Sequence, residues 1–267
     1  MACLGVFDSG LGGLTVVREI QRLLPTLPLT YIGDSRHAPY GSRSEGEICQ
    51  LSLAQAEFLL AQGCTALVIA CNTATAAAAG TLREHFPCVP IIGMEPAVKP
   101  AAAATKSGIV GVLATVGTLQ SARFAALLDR FAAEITVLTR SCPGWVEAVE
   151  AGAFETPETL RLLQREVEPL LAAGADTLVL GCTHFPALRP ALQALVGPEV
   201  VLIDTGAAVA RRVAEQVAAQ GQEAGSLTLF TSGTPTVFSR SARAILGVEW
   251  LPMVWPLVWK DGRLENA

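Results

Sequence analysis

The stretch Leu67-Val-Ile-Ala-Cys-Asn-Thr-Ala-Thr75 has a second copy in the same chain, Leu178-Val-Leu-Gly-Cys-Thr-His-Phe-Pro186. In both copies a short apolar run stops at a cysteine, and two polar residues follow it. The cysteines are separated by 182 − 71 = 111 residues, and Val89-Pro-Ile-Ile92 matches Val200-Val-Leu-Ile203 at the same offset. A duplicated chain with a cysteine at the same point of each half predicts two thiols that face one site.

Length and composition indicate a globular protein of one large or two small domains. The chain has 267 residues, of which 51% are hydrophobic, so it can bury a sizeable core. Polar residues interrupt every apolar run before about 18 residues, and therefore we expect no transmembrane helix and no membrane association. The first residues lack the basic region and cleavage site of a signal peptide. We accordingly expect a cytoplasmic protein.

Cysteine usage and charge exclude several classes of function. The seven cysteines are an odd number without a CxxC pair, which in the cytoplasm indicates free thiols. No His/Cys cluster has zinc-ligand spacing, so we expect no metal. The net charge of −5 gives no reason to expect a nucleic-acid ligand.

The order of the predicted elements indicates a doubly wound α/β fold in each half. Leu4-Gly-Val-Phe7 is typical of a buried strand, and a glycine-rich turn, Asp8-Ser-Gly-Leu-Gly-Gly13, leads from it into a helix. The second half repeats this order. When the halves are aligned with an offset of 106 residues, Gly111 matches Gly5 and Thr115 matches Ser9. Further strands are predicted at 29–32, 89–92, 108–113, 135–138, 200–203 and 227–231, and helices at 14–24, 44–62, 74–85, 121–131, 159–171, 207–220 and 236–246. We expect two pseudosymmetric α/β domains with the active site in the cleft between them.

The C-terminal stretch 248–259 is apolar, contains three Trp and is interrupted by prolines. The pattern predicts an extended segment over the core. Burial of the Trp side chains is the favoured interpretation, and an interface is the alternative.

The polar residues at the strand ends predict proton-transfer chemistry. Ligands of such sheets bind beyond the carboxyl ends of the strands, where Asp8, Cys71 and Cys182 lie. A thiol that precedes a helix has its pKa lowered toward neutrality, which suits a proton carrier. Two thiols on opposite sides of one carbon can remove a proton from one face and return one to the other, which is racemisation. Neutral hydrogen-bonding side chains beside them could hold a carboxylate, together with helix N-terminal amides: Ser9, Asn72, Thr73 and Thr183.

Five motifs resemble the glutamate racemase family, and they occur in that family's order over nearly the whole chain. They are Gly5-Val-Phe-Asp-Ser-Gly-Leu-Gly-Gly-Leu14, Gly33-Asp-Ser-Arg-His-Ala-Pro-Tyr-Gly41, Ala70-Cys-Asn-Thr-Ala-Thr75, Leu180-Gly-Cys-Thr-His-Phe-Pro186 and Ile203-Asp-Thr-Gly206. The resemblance implies racemisation of L- and D-glutamate without pyridoxal phosphate or metal, which supplies D-glutamate for the bacterial cell wall.

The resemblance also implies roles for individual residues. Cys71 would deprotonate D-glutamate and Cys182 would deprotonate L-glutamate, with Asp8 and His184 assisting them. The residues that would line the substrate site are Asp8, Ser9, Tyr40, Gly41, Asn72, Thr73, Thr183 and His184. Glu150 would lie near His184, and Thr115 and Thr118 would support the site. The implied domains are 1–97 plus 207–267, and 98–206; a homodimer stays open.

Several alternatives remain at this stage. The enzyme could act on a related substrate such as aspartate, because one methylene discriminates weakly. A pyridoxal-phosphate racemase is disfavoured because Lys99, Lys106 and Lys260 lie outside the motifs. A cysteine hydrolase would leave the Cys71 copy unexplained, and a non-catalytic amino-acid-binding protein would bind glutamate without exchanging its α-proton. Asp8 could merely cap a helix, His184 could be a structural donor, and Tyr40-Gly41 could be a turn. The other five cysteines are predicted to be small buried residues: Cys3, Cys49, Cys64, Cys88 and Cys142.

Overall fold

The computed structural model describes residues 3–217 and 224–267, and they form strands that alternate with helices. The strands are β1 (Leu4–Asp8), β2 (Leu29–Gly33), β3 (Ala66–Ile69), β4 (Ile91–Ile92), β5 (Ile109–Ala114), β6 (Thr136–Ser141), β7 (Thr177–Leu180), β8 (Val201–Ile203), β9 (Leu227–Thr231), β10 (Val254–Lys260) and β11 (Arg263–Asn266). The helices are α1 (Leu14–Leu23), α2 (Glu45–Ala61), α3 (Asn72–His85), α4 (Val98–Ala104), α5 (Val116–Leu119), α6 (Ala122–Phe131), α7 (Trp145–Glu150), α8 (Pro157–Ala172), α9 (Arg189–Val196), α10 (Gly206–Gln216) and α11 (Pro235–Leu246).

The strands form two sheets with matching topology. The seven-stranded sheet has the order β11-β10-β9-β2-β1-β3-β4, and the four-stranded sheet has the order β6-β5-β7-β8. The run β2-β1-β3-β4 therefore corresponds strand for strand to β6-β5-β7-β8. Every strand pair is parallel except β10 with β11. The expected pair of pseudosymmetric α/β domains is confirmed. Below, the domain that contains the seven-stranded sheet is called the first domain, and the other the second domain.

The two halves also pack in the same way inside. Gly5 in β1 lies under Leu67 and Leu59, so a Cβ at Gly5 would come within 2.8 Å of Leu67. Gly111 in β5 lies under Leu178 and Leu170 in the same manner, with 2.6 Å to Leu178. The glycine pair in the sequence repeat thus marks the point where a helix leucine approaches the central strand of each sheet.

Three clusters of buried apolar residues hold the layers together. The largest runs continuously from the first domain, with Leu4 and Val6, into the second, with Trp145 and Leu178. The other face of the first sheet packs a separate cluster around Phe7, and the outer face of the second sheet packs one around Val110 and Val179. Because one cluster spans both sheets, the strand ends of the two domains are held against one another.

The structure differs from the sequence-based expectations in a few elements. α4, α5 and α9 were not predicted, and residues 218–220 of the predicted helix 207–220 lie outside the described residues. Cys71 directly precedes α3, whereas Cys182 is followed by a turn and a short 3-10 helix, Phe185–Leu188, before α9. Cys64 and Cys142 are buried as predicted, but Cys88 is exposed and Cys3 and Cys49 are only partly buried. In both described ranges, no helix has the length and apolar character needed to cross a membrane.

The C-terminal stretch extends the first sheet rather than filling its core. The extended conformation is confirmed, because β10 pairs in parallel with β9 and turns back into β11. Burial of the tail Trp side chains is wrong for Trp250 and Trp255, which are 77% and 48% exposed. Only Trp259 packs inward, where its indole N–H donates to Asp34 at 2.9 Å. Trp250 and Trp255 are exposed because β10 lies near the edge of the sheet, where one face is in contact with solvent.

Candidate active site

The candidate site lies where the carboxyl ends of equivalent strands from the two sheets meet. β1 ends at Asp8 and β3 leads into Cys71, while β5 leads into Thr115 and β7 into Cys182. Cys71 and Cys182 are only 5% and 8% exposed, and Asp8 is fully buried. The chain thus closes this region from bulk water, which strengthens every electrostatic interaction inside it.

The Cys71 thiol lies at the start of α3 beside the glycine-rich turn. Its sulfur accepts a hydrogen bond from the backbone N–H of Ala74 at 3.5 Å and lies 3.8 Å from the Ser9 hydroxyl. Burial, followed by the charge of Asp8, raises the pKa of the Cys71 thiol well above its ordinary value, although the Ala74 N–H opposes the rise. The predicted lowering toward neutrality is therefore wrong for Cys71 in this structure, because desolvation outweighs the helix terminus.

Asp8 links the turn after β1 to both halves of the site. One carboxylate oxygen accepts from Ser9 N at 2.7 Å, and the other accepts from Gly13 N at 2.5 Å and from the Thr183 hydroxyl at 3.3 Å. The bond from Gly13 ties Asp8 to the residue before α1, a helix that begins without a side-chain cap, and the bond from Thr183 ties it to the second domain. Burial raises the pKa of Asp8, and the charge of His184 opposes this rise.

The Cys182 half of the site is built around a buried imidazole. His184 Nδ1 lies 3.8 Å from the Cys182 sulfur, and Nε2 lies 2.7 Å from Glu150 Oε1. Gly12 N also lies 3.3 Å from Nε2. The nitrogen cannot donate to Glu150 and accept from Gly12 at once, so the shorter contact with a carboxylate decides its role.

The protonated form of His184 is stabilised by its neighbours. Burial alone would lower the pKa of His184, but the contacts with Cys182 and Glu150 and the charge of Asp8 outweigh it, so this pKa is raised well above its ordinary value. An imidazolium donates at both nitrogens. His184 can therefore hold Glu150 on one side and a Cys182 thiolate on the other.

The glycine-rich turn fits closely against this pair of residues. A Cβ at Gly10 would lie 2.0 Å from Glu150 Oε1, and a Cβ at Gly12 would lie 2.3 Å from His184 Nδ1. Leu11 N, between the two glycines, donates to Glu150 Oε1 at 2.5 Å. Neither Gly10 nor Gly12 has a positive φ, so the backbone conformation does not require glycine there. Glycine is required because a side chain at either position would collide with Glu150 or His184.

Three threonine hydroxyls bridge the two domains on the other side of the site. The Thr73 hydroxyl lies 2.9 Å from that of Thr115 and 3.2 Å from that of Thr118, and Thr115 and Thr118 are 3.0 Å apart. Gly41 packs on Thr115, so a Cβ at Gly41 would lie 2.7 Å from Thr115 Cβ. These contacts bring Thr73, Gly41 and the predicted supporting threonines together.

Asn72 is the polar residue of the site with unused hydrogen-bonding capacity. It is 4% exposed, and neither its side-chain oxygen nor its nitrogen has a partner among the described residues. An amide buried in this way costs stability unless something binds it. The Asn72 side chain is thus available to a polar ligand.

The Tyr40 hydroxyl is hydrogen-bonded to two residues outside the predicted site. Its hydroxyl donates to Asp34 at 2.7 Å and accepts from Gln55 at 2.9 Å. Asp34 also accepts from Ser232 and Trp259 and contacts His37. It is the centre of a polar network that fixes β2, β9 and β10 together.

Two contributors to the site were missed from sequence. Ser35 donates to Glu150 Oε2 at 2.8 Å, and Tyr31 donates to the Gly10 carbonyl at 2.6 Å beneath the turn. Ser35 lies inside a motif that was noted for other residues, and a buried Tyr in a strand gives no signal of its own.

A cavity of about 260 Å³ opens beside the site, lined by Gly41, Thr115, Cys142 and their neighbours. Within residues 3–217 and 224–267, no cluster of three or more His, Cys, Asp or Glu could hold a metal ion.

Comparisons with known proteins identify the family and the fold. The family model for Asp/Glu/hydantoin racemases matches residues 4–213. A glutamate racemase of Ectopseudomonas mendocina is 64% identical over 212 residues, which cover 79% of this chain and 81% of that protein. The crystal structure of a glutamate racemase isoform from Bacillus anthracis is similar with a TM-score of 0.86 and 32% identity, covering 98% of both chains.

A third relative is the Escherichia coli glutamate racemase, solved in complex with L-glutamate and the activator UDP-MurNAc-ala. It has a TM-score of 0.81 and 37% identity, and the match covers 92% of this chain and 94% of that one. The family model matches well over half of the chain, and close relatives of one kind cover most of it. The chain therefore belongs to the Asp/Glu/hydantoin racemase family, among the glutamate racemases.

Proposed function

We propose that this protein interconverts L- and D-glutamate by proton transfer between two thiols. The observation that carries the proposal is the placement of Cys71 and Cys182 at the ends of equivalent strands, β3 and β7, in two sheets of the same topology. Racemisation needs an acid and a base on opposite faces of the α-carbon, and a duplicated half-site supplies one on each face. The Escherichia coli relative was solved in complex with L-glutamate, which supports the choice of amino acid.

The two half-sites differ in the charged residue that lies beside each thiol. Cys182 lies 3.8 Å from His184 Nδ1, and a raised pKa keeps that imidazole protonated. Cys71 lies near Asp8, whose charge favours its neutral thiol. In the direction from L-glutamate, Cys182 beside the imidazolium serves as the base for the α-proton, and Cys71 serves as the acid that protonates the opposite face. In the reverse direction the two thiols exchange roles.

Neutral donors and helix amides hold the substrate carboxylates in this proposal. The α-carboxylate has Asn72 available, and the turn residues Ser9 and Tyr40-Gly41 and the hydroxyls of Thr73 and Thr183 surround the remaining space. An anion beside the N-terminus of α3 is favoured by the helix dipole. Asp8 and His184 act on the thiols, and Glu150, Thr115 and Thr118 hold the site together.

The wider assignments also follow the family. We infer domains at 1–97 plus 207–267, and at 98–206, supported by the strand membership of the two sheets. D-glutamate supply for the cell wall is the role that the family implies. Seven free cysteines suit a reducing cytoplasm. A homodimer is compatible with the exposed Trp250 and Trp255.

One nuclear magnetic resonance experiment tests the reaction class and the substrate. Protein and L-glutamate are mixed in heavy water without cofactor, and the α-proton signal is followed while chiral chromatography measures D-glutamate. We expect loss of the α-proton with formation of D-glutamate. Retention of the α-proton at substrate saturation would contradict the proposal. L-aspartate in a parallel tube is the control, and faster exchange there would assign the related substrate instead.

A second measurement tests the proposed thiol chemistry. Activity should survive exhaustive chelation and should fall when a thiol alkylator is added, with glutamate slowing the loss. Activity that disappears with a chelator and returns with a metal ion would contradict a reaction carried by thiols alone.

A further inference from the structure

A second pair of cysteines lies at the opposite end of the first sheet from the proposed site. Cys3 immediately precedes β1, and Cys64 lies two residues before β3. Their sulfurs are 3.3 Å apart, and the Thr30 hydroxyl on β2 lies 3.4 Å from the Cys3 sulfur. Neither sulfur takes part in the reaction proposed above. Asp8, at the other end of β1, is five positions from Cys3, which corresponds to about 16 Å of extended chain.

The backbone around the pair suits a covalent bond. Thr65 N donates to the Cys3 carbonyl at 2.9 Å, so the segments that carry the two thiols are directly paired. The register of β1 on β3 places Cys3 opposite Thr65, so Cys64 lies one residue further along. A strand spacing of about 4.8 Å and a rise of about 3.3 Å then give a Cα separation of about 6 Å, which a disulfide spans. The sulfurs must approach one another by about 1.3 Å to reach the S–S bond length of about 2.05 Å, a movement that side-chain rotation can supply.

The two thiols differ in access and in ionisation. Cys3 is partly exposed, whereas Cys64 is buried. When Cys3 ionises, it accepts hydrogen bonds from the Cys64 thiol and from the Thr30 hydroxyl. These bonds lower the pKa of Cys3 to about 6 against the effect of burial. The pKa of Cys64 is raised instead, by its bond to Cys3 and then by burial. Cys3 is therefore the nucleophile of the pair, and Cys64 is the buried thiol that reacts second.

We propose that Cys3 and Cys64 form a reversible oxidation site that takes a hydroperoxide as its oxidant and closes to a disulfide across β1 and β3. The Cys3 thiolate attacks the outer peroxide oxygen, the O–O bond breaks, and the alkoxide or hydroxide takes up a proton, which leaves a sulfenic acid on Cys3. The Cys64 sulfur then attacks the Cys3 sulfur, the S–O bond breaks, and water leaves. Two thiols are oxidised, one peroxide is reduced to an alcohol or water, and a thiol reductant reverses the bond.

The test uses the full-length protein treated with hydrogen peroxide while glutamate protects the racemase site. Free thiols are then alkylated, and the protein is digested and analysed by mass spectrometry without reduction. We expect a cross-linked peptide that joins Cys3 to Cys64, and a fall in alkylated cysteines from the total of seven to five. Seven alkylated cysteines, or a bond between any other pair, would overturn the proposal.

Variants assign the order of attack. Cys64→Ser should stop at a sulfenic acid on Cys3 that a 1,3-diketone traps, whereas Cys3→Ser should leave Cys64 reduced. Oxidation of Cys64 in the Cys3→Ser protein would contradict the assigned roles. Cys88→Ser, at an exposed cysteine, is the matched control and should form the same cross-link as the unaltered protein.

The consequence of the bond is measured on the unaltered protein. A disulfide that ties β3 to the start of the chain reduces the freedom of the unfolded state, so the oxidised form should melt roughly 5 °C higher than the reduced form. Racemase activity should be unchanged after peroxide and glutamate are removed, because the cross-link lies at the far end of the strands. An oxidised form that melts no higher than the reduced form would contradict closure between the two strands.

Discussion

At the residue scale, the distinction between Cys71 and Cys182 cannot be read from racemisation rates alone. Enantiomers have equal free energies, so kcat/KM must be the same in both directions for every variant. A substrate analogue with a leaving group on the β-carbon removes this constraint, because elimination needs a single deprotonation. Each thiol can then be tested on the face that it is proposed to serve.

Replacing either cysteine with Ser should lower racemisation by at least about 10²–10⁴-fold, because a hydroxyl is a poor base near neutral pH. Cys71→Ser should still eliminate from the L analogue, and Cys182→Ser should still eliminate from the D analogue. The rate of elimination is measured from the formation of the keto product. A one-base mechanism predicts instead that one variant loses both enantiomers and the other loses neither.

Asn72 allows stability and substrate binding to be separated. Its buried amide has no partner among the described residues, so Asn72→Leu should leave the melting temperature unchanged or raise it. Loss of hydrogen bonds to a carboxylate should raise KM by about 10–100-fold, which corresponds to roughly 1.5–3 kcal/mol. Thermal denaturation and steady-state kinetics measure the two effects.

Ser52 provides the matched control for this prediction. Its hydroxyl is equally buried and unpartnered, but it lies on α2 outside the site. Ser52→Ala should therefore leave both KM and the melting temperature close to those of the unaltered protein. A destabilised Asn72→Leu protein with normal KM would assign a structural role to Asn72.

At the element scale, the turn between β1 and α1 is shaped by the residues that it touches in the second domain. A Cβ at Gly10 would lie 2.0 Å from Glu150 Oε1, whereas a Cβ at Gly80, inside α3, would have nothing within 4 Å. Gly10→Ala should displace Glu150 and lower kcat by about 100-fold, the usual effect of losing a positioned acid–base group.

Gly80→Ala is the control, because it makes the same chemical change in open space. It should keep full activity and gain about 0.5–1 kcal/mol of stability from the better helix propensity of Ala. Circular dichroism would establish that both variants fold. Normal kcat in a folded Gly10→Ala protein would contradict this prediction, because it would mean that the turn accommodates a methyl group without displacing Glu150.

The strand β10 is attached to the rest of the sheet by a buried carboxylate. Trp259→Phe keeps an aromatic ring but removes the indole N–H that donates to fully buried Asp34. The free energy of unfolding should fall by about 1–2 kcal/mol, because a hydrogen bond to a charged group is lost while the other donors to Asp34 remain. Urea denaturation measures this change.

Trp250 offers the same substitution without the hydrogen bond. It is 77% exposed, so Trp250→Phe should change the free energy of unfolding by less than about 0.5 kcal/mol. Equal losses in the two variants would mean that the Asp34 bond contributes nothing to stability.

Elements whose signal is local could be predicted from sequence, and those set by distant contacts could not. A short apolar run before a glycine-rich turn predicted β1, and the repeat predicted the correspondence of β3 with β7. The raised pKa of Cys71 depends on how deeply the chain buries it, which no motif encodes. Likewise, Ser35 contacts Glu150 across 115 positions of sequence, and only the fold brings them together.

At the scale of the whole molecule, the two domains are joined through Glu150. Its carboxylate accepts from Ser35 and Leu11 N of the first domain and holds His184 of the second. The raised pKa of His184 depends in part on Glu150. A contact made by the first domain thereby sets the protonation of a residue beside Cys182.

Ser35→Ala should weaken this link without touching substrate. Glu150, released at one oxygen, would hold the imidazolium less firmly, and the pKa of His184 would fall. A group with a raised pKa loses its proton as pH rises through that value, so the alkaline limb of the kcat profile should move to lower pH. We expect kcat near neutral pH to fall about 10-fold, with KM changed less than about twofold. Ser35→Thr keeps the hydroxyl and should restore the profile, whereas an unshifted alkaline limb in Ser35→Ala would mean that His184 is held without help from the first domain.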